Sequence, residues 1–275
     1  MLLLVGLAVV VGFVGAGVAG ITITVFLHRG LSHGAIRMSR PLYEAGRWMT
    51  WGTAFMRHWE WRRVHRKHHL YTDVWIDDVR HDPHSPIVIG QRLQTDGFRR
   101  VAWHMAAIFH AEARCPDIRD GTYELESDRS LDRLDQVVFS RPVIGAIVTG
   151  VLYAAVFAAV APILLGTRRT IGLETLCVVA GVLALAIHIG LVLRFGGAIN
   201  SDCHRGSEFT AGAGYAINVG VLSVLIFGEG EHRTHHLHPE LAQISRRWDL
   251  GWRVIQALQL LRLTDVIVER RILAG

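Results

Sequence analysis

The chain alternates between long charge-free runs and compact charged stretches. Residues 2–27 carry no charged side chain. About 20 apolar residues cross a bilayer as a helix, and no basic segment precedes this run as it would in a signal peptide. Its glycines and alanines suit close packing of membrane helices, so a first span ending at His28 is expected. Pro142–Gly166 is uncharged for 25 residues, and Thr167–Thr170 is a short connection containing Arg168 and Arg169. Thr175–Leu193 is uncharged for 19 residues and, past Arg194, runs on as apolar sequence to Asn200. Spans are therefore predicted at about 2–27, 142–166 and 172–199. Phe209–Gly228 is also free of charge. Its glycines and Asn218 weaken a lipid-facing reading, so it is expected to be buried or re-entrant.

The region 28–141 has the opposite character. It holds 18 of the 29 Lys and Arg residues and six of the eight tryptophans, a combination that marks a membrane–water interface. Pro41–His69 reads as a long interfacial helix, Phe98–Ala113 as an amphipathic segment and Asp117–Arg133 as charged loop. Leu241–Ile272 reads as an amphipathic helix with Trp248 and Trp252 at the interface. The arginine excess puts this side in the cytoplasm, with Thr167–Thr170 and the N-terminus outside. The expected fold is all-α: a single integral membrane domain over residues 1–275, with about three transmembrane helices. A cytoplasmic helical cap would come from 28–141 and 200–275.

Composition agrees. A length of 275 residues fits one domain or two small ones, and 51% hydrophobic residues with a mean hydropathy of +0.29 fit a membrane protein. The pI near 9.5 fits an anionic membrane face better than nucleic acid, for which no reading module is present. Cys115, Cys177 and Cys203 are scattered, so neither a disulfide framework nor a cysteine-based zinc site follows.

The histidines change the picture. His65-Arg-Lys-His68-His69 and His232-Arg-Thr-His235-His236 share one spacing, which on a helix puts all three rings on one face. His28-Arg-Gly-Leu-Ser-His33 stands upstream, and Asn200-Ser-Asp-Cys-His204 lies between. Nine of sixteen histidines thus fall into four groups, each closing or following an apolar segment. One ion takes about four to six ligands, so nine histidines oversupply a single ion and fit two. Imidazole alone does not choose between zinc, copper, iron and nickel.

These four groups, in this order, resemble the histidine boxes of the membrane fatty-acid desaturases of the acyl-CoA and acyl-lipid type. Asp82-Pro-His-Ser-Pro86 and Gly228-Glu-Gly-Glu-His232 are similar to segments of that family too, and the likeness runs from about Gly20 to Val266. The resemblance implies a di-iron centre that uses O2 and two electrons to introduce a C=C bond into a fatty acyl chain. It implies metal ligation by His28, His33, His65, His68, His69, His204, His232, His235 and His236, with Asn200 acting through a water. It also implies that Trp61 and Arg63 shape the substrate entrance. The acyl chain could be linked to coenzyme A, a carrier protein or a lipid. Two departures stand out. The family usually has a two-span hairpin before the first box, so either this start is truncated or this member does without that helix. The last box also reads Glu231-His-Arg-Thr-His, where relatives carry an aromatic before it and asparagines within.

The remaining candidates are weighed against ordinary duties. His81 and His84 are read as loop structure, His188 as an interhelical hydrogen bond, and His58, His104, His110 and His238 as interfacial or solvated. Asp77, Asp78, Glu229 and Glu231 either orient ligand rings or form a solvated acidic loop. A hydroxylase or acetylenase on the same scaffold is the rival reading. Metal transport would put ligands near the bilayer midplane, whereas here they gather at span ends. The chain has no haem domain, iron–sulfur cysteine cluster or dinucleotide fingerprint. Electrons must therefore come from an external donor, a ferredoxin, rubredoxin or cytochrome b5-like protein with its reductase. Its docking would use Arg62, Arg63, Arg66, Arg99, Arg100, Arg246 and Arg247. The expected location is a bacterial inner membrane with the site on the cytoplasmic side.

Overall fold

Inside hydrocarbon every backbone N–H and C=O must be bonded within its own segment, and the three long apolar runs are helical. The computed structural model describes residues 2–76, 79–82, 87–88, 92–93 and 112–268. Three helices are long and apolar enough to cross a membrane: Leu2–Ser32, Pro142–Leu165 and Ile171–Asp202. The first consists of α1 (Leu2–Ile21) continued by a π-helical stretch, Thr22–Ser32. The first and third outrun their predicted bounds by a few residues, and the second ends one residue short of its predicted bound. Phe209–Gly228 forms turns and one six-residue helix, not a span.

The chain divides into two compact units. The first comprises 1–20, 48–57 and 131–192. Its core joins Leu4 and Ala8 of α1 to Phe157 and Ala161 and to Cys177, Ala180 and Ala184. A Cβ on Gly12 would lie 2.7 Å from the Ala184 carbonyl oxygen, and one on Gly181 would lie 2.7 Å from the Ala154 nitrogen. Small residues therefore let these backbones meet, while Phe13, Val143, Val151 and Val182 face outward. Pro142 starts one helix where no N–H partner is needed, and Gly166, at φ +61°, ends it. His188 is fully buried, and its Nδ1 accepts the Tyr153 hydroxyl at 2.9 Å. That is the interhelical bond expected of it. The predicted long helix Pro41–His69 is two helices, Arg40–Met49 and His58–Leu70, with a π-helical turn at Thr50–Ala54. The break falls at Phe55, whose left-handed backbone (φ 56°) cannot continue a helix.

The second unit comprises 21–47, 58–130 and 193–275. Here β1 (Ile36–Met38) pairs antiparallel with β6 (Thr264–Val266), Ile36 opposite Val266. Two short hairpins, β2–β3 (Trp75–Ile76 with Val79–Arg80) and β4–β5 (Ile87–Val88 with Arg92–Leu93), lie between. The predicted terminal helix is shorter than expected. It covers Leu250–Leu260, and the chain then turns at Arg262, in the left-handed region, into β6. Val25, Ala35, Ile36, Ala242 and Ile255 form its core. The predicted segment near Phe98–Ala113 lies almost wholly outside the described residues.

The charged loop after Glu112 is largely exposed, as expected, but its carboxylates are engaged. It braces the helix His58–Leu70, hereafter α3; α2 is Arg40–Met49. Glu124 takes Arg62 and Arg63, at 2.9 and 2.7 Å. Asp128 takes Arg66 at 2.5 Å, and Glu112 and Asp117 take Lys67 at 2.5 and 2.8 Å. These four bases are half-buried or buried in ion pairs. Arg62, Arg63 and Arg66 are therefore not the open docking surface expected of them.

Candidate metal centre

The nine box histidines all belong to the second unit and form two groups. His28, His33, His65, His69 and His235 make one; His68, His204, His232 and His236 make the other. Within each group one nitrogen per ring lies within 4.8 Å of all the others. Each three-histidine cluster is shared between the groups. From α3, His65 and His69, one helical turn apart, enter the five-histidine group, and His68 enters the four-histidine group. From the short helix His232–Leu237, the pair His232 and His236 enters the four-histidine group and His235 the other.

His28 and His33 need a different helix. Five residues along an α-helix turn a side chain about 140° away from the first. The Thr22–Ser32 stretch is π-helical, and the His33 N–H donates to the His28 carbonyl at 3.1 Å. This wider turn brings the two ring centroids to 4.9 Å.

Ring orientation is set from outside the groups. His68 Nδ1 donates to Asp82 Oδ2 at 2.9 Å, and His204 Nδ1 donates to Asp73 Oδ2 at 2.9 Å. The Thr72 hydroxyl donates to the His68 carbonyl at 2.8 Å, so its oxygen is free to accept from His236 Nδ1 at 3.2 Å. His28 Nδ1 lies 3.0 Å from Glu229 Oε2. With the proton held on Nδ1, each Nε2 turns a lone pair inward. The inward nitrogens approach closely: His68–His236 3.2 Å, His236–His232 3.1 Å and His204–His232 2.9 Å. In the other group His28–His235 is 2.8 Å, His235–His69 3.0 Å and His33–His65 3.0 Å. Converging lone pairs repel unless a cation lies among them. Imidazole nitrogens sit about 2.1 Å from an ion such as zinc, so two at right angles lie about 3 Å apart. The residues fit two ions.

Electrostatics agree. Burial holds His65, His69, His232, His235 and His236 well below the ordinary histidine value, helped by repulsion from neighbouring histidines; His33 behaves alike. They stay neutral, as ligands must. Burial also pulls His68 down, but Asp82 more than offsets it and its pKa is raised. Burial would raise the Glu229 carboxyl, yet His28, Arg29 and the Thr24 hydroxyl hold it below its usual value, as an anion.

Other predicted residues fall differently. Asn200 lies half-buried near the end of the third span helix. Trp61 stacks on His65 at 4.7 Å and 12°. Arg63 spends its fork on Glu124 and on the Ile118 and Arg119 carbonyls, at 2.7, 2.9 and 3.2 Å. Glu229 serves as an orienting acceptor, whereas Glu231 offers its carbonyl to the His235 N–H. Asp77, Asp78, His84, His104, His110, Arg99 and Arg100 lie outside the described residues. Sequence reasoning missed Thr72, Asp73 and Asp82. Thr72 and Asp73 stand three and four residues after the second box, and that closeness was itself a signal. Glu112, Cys115 and Asp117 form a third cluster of possible ligands, but the Lys67 ammonium already occupies its acidic pair.

Comparison with known proteins bears on this arrangement. An acyl-CoA C20 Delta5-desaturase of Anemone leveillei is 26% identical over 220 residues, covering 77% of this chain. The matched stretch is 58% of that plant protein's length. The sequence profile of the fatty acid desaturase family matches residues 2–248, a stretch that takes in all four histidine clusters. By that match, the chain belongs to the fatty acid desaturase family.

Proposed function

We propose that the chain is an O2-dependent desaturase that introduces a C=C bond into a fatty acyl chain at a site holding two iron ions. The observation that carries this reading is the pair of histidine groups with inward lone pairs. Side chains alone cannot take hydrogen from an unactivated CH2, and the bound metal would supply the O2 activation that makes it possible. The balance is simple: two hydrogens leave the acyl chain, and O2 with those hydrogens, two further protons and two electrons becomes two waters.

The protein's own residues hold and exclude. The nine histidines would ligate, with Asn200 acting through a water. Asp73, Asp82, Thr72 and Glu229 would keep the His204, His68, His236 and His28 rings in the ligating tautomer. Trp61, stacked on His65, would form part of the wall along which the acyl chain lies. Coenzyme A thioesters are the first substrates to assay, because the plant relative is named as an acyl-CoA enzyme; carrier-protein and lipid-linked chains are the comparison. An acidic electron-carrier protein would dock at the cytoplasmic face, where Arg246 and Arg247 are exposed beside exposed Trp248.

Mass-spectrometric lipid profiling of cells expressing the chain, or its His68→Ala variant, tests the reading. New unsaturated acyl chains are expected with the parent alone. Hydroxylated acyl products, or an unchanged profile with purified protein carrying two irons, would overturn it. Sidedness is tested by labelling single cysteines at Ser207, His238 and Arg168, all exposed, in a chain with Cys115 replaced. Ser207 and His238 should report the cytoplasm and Arg168 the opposite side.

A further inference from the structure

Arg29 follows a box histidine, is 1% exposed, and has no place in the ligand set. Its Nη2 lies 2.9 Å from Asp249 Oδ1 and 3.4 Å from Glu229 Oε1. Glu229 also accepts the Thr24 hydroxyl and meets His28 Nδ1 through its other oxygen. Asp249 caps the helix Leu250–Leu260, accepting from the Trp252 N–H at 2.8 Å, and gathers the Ile244 and Ser245 N–H groups at 3.0 and 3.1 Å. One buried cation thus stands between the carboxylate that orients His28 and the carboxylate that organises the start of a helix.

The backbone around Arg29 is shaped for it. A Cβ on Gly251 would lie 2.7 Å from Arg29 Nη1 and 3.0 Å from Cζ. Gly228 sits at φ +105°, and a Cβ there would lie 2.5 Å from Asp249 Oδ1 and 3.1 Å from Arg29 Nη2. Two glycines far apart in sequence leave room for the same guanidinium. A planar fork carries its charge on two nitrogens at once, which the single ammonium of lysine would not fully reproduce.

We propose that Arg29 is a positioning residue for the five-histidine group. It clamps Glu229 against His28, and so holds the His28 ring in the orientation its group requires. The assignment rests on the two-ion reading above. Loss of partners that orient ligating histidines weakens metal binding about 10- to 100-fold. An Arg29 that merely anchored the fold would loosen both groups alike.

The test uses the full-length chain, purified in detergent, stripped of metal and titrated with Co2+ alone while visible absorption and bound cobalt are measured. The parent should take two equivalents. Arg29→Gln should take one equivalent with parental affinity and the second about 10- to 100-fold more weakly. Its one-equivalent spectrum should match that of His69→Ala, which lacks a five-histidine ligand. Arg29→Lys should recover part of the loss. Gly251→Ala, which removes no charge, should shift the same equivalent in the same direction. If Arg29→Gln does not fold, the last two variants carry the same expectation. Unchanged second-equivalent affinity in the variants, or equal weakening of both equivalents, would overturn the proposal. A parent that takes fewer than two equivalents overturns the two-ion reading instead.

Discussion

The two histidine groups share two boxes yet are braced differently. The four-histidine group is held by Asp82, Asp73 and Thr72, which lie within 14 residues after His68. The five-histidine group takes its carboxylate from Glu229, which stands just before the last box and is backed by Arg29. The first arrangement is assembled by one turn-rich segment following α3. The second joins the π-helical stretch to residues some 200 positions away. Identical ligand chemistry can therefore be tuned separately, because each group has its own outer support.

The sharpest way to break this comparison is to mutate neighbours. His68→Ala and His69→Ala differ by one position but remove ligands from different groups. Both should reduce desaturation by more than about 100-fold, since a lost ligand removes far more than an orienting bond. Elemental analysis should find about one iron per chain in each, with different residual spectra. Identical residual spectra would mean that the groups are not separate sites.

Removing a brace should give a smaller, one-sided effect. Asp82→Asn and Asp73→Asn should weaken ion binding about 10- to 100-fold, and only in the four-histidine group. Competition with a calibrated chelator measures this, and equal weakening of both equivalents would count against separate support. Thr72→Val removes the hydroxyl's bonds to the His68 carbonyl and to His236; only the second orients a ring, and at about 1 kcal/mol its loss should weaken binding roughly fivefold, confined to the same group.

The smallest effect falls outside the groups and is read as stability. Asp128→Asn breaks the pair with Arg66, at a cost of about 1–3 kcal/mol, with metal stoichiometry unchanged. Burial would raise the Asp128 carboxyl, but hydrogen bonds from Arg66 and the Leu125 N–H outweigh it and depress its pKa from 3.8. A depressed carboxylate contributes stability that is present above its unfolded value and lost as pH falls through its folded one. The parent should therefore lose part of its melting-temperature advantage over the variant on acidification below about pH 4. A constant difference from pH 7 to pH 3 would show that the charge of Asp128 is not what stabilises it.

Much of the architecture was legible because hydrophobic length is a local property. The spans at Pro142–Leu165 and Ile171–Asp202 follow from runs without charge. The short, non-spanning character of Phe209–Gly228 follows from its glycines and from the need for His232 to join the other boxes. The break at Phe55 was not legible, since a left-handed non-glycine residue has no local signature. Nor was the β1–β6 pairing, which joins segments more than 220 residues apart. Counting arginines also misjudged the surface. Arg62, Arg63 and Arg66 look like a basic patch in sequence, but the Glu124 and Asp128 carboxylates already hold them.

By itself the sequence determined the histidine inventory, its four-cluster spacing and the lengths of the apolar helices, because each depends on residues close together along the chain. Only the tertiary structure decided which histidine belongs to which group. A helix carrying rings at i, i+3 and i+4 presents them on one face, but that face can lie between two sites. The split of His65 and His69 from His68 depends on where the partners His28, His204 and His235 arrive. The braces were likewise invisible, because a carboxylate orients a ring only once folding has brought the two within about 3 Å of each other.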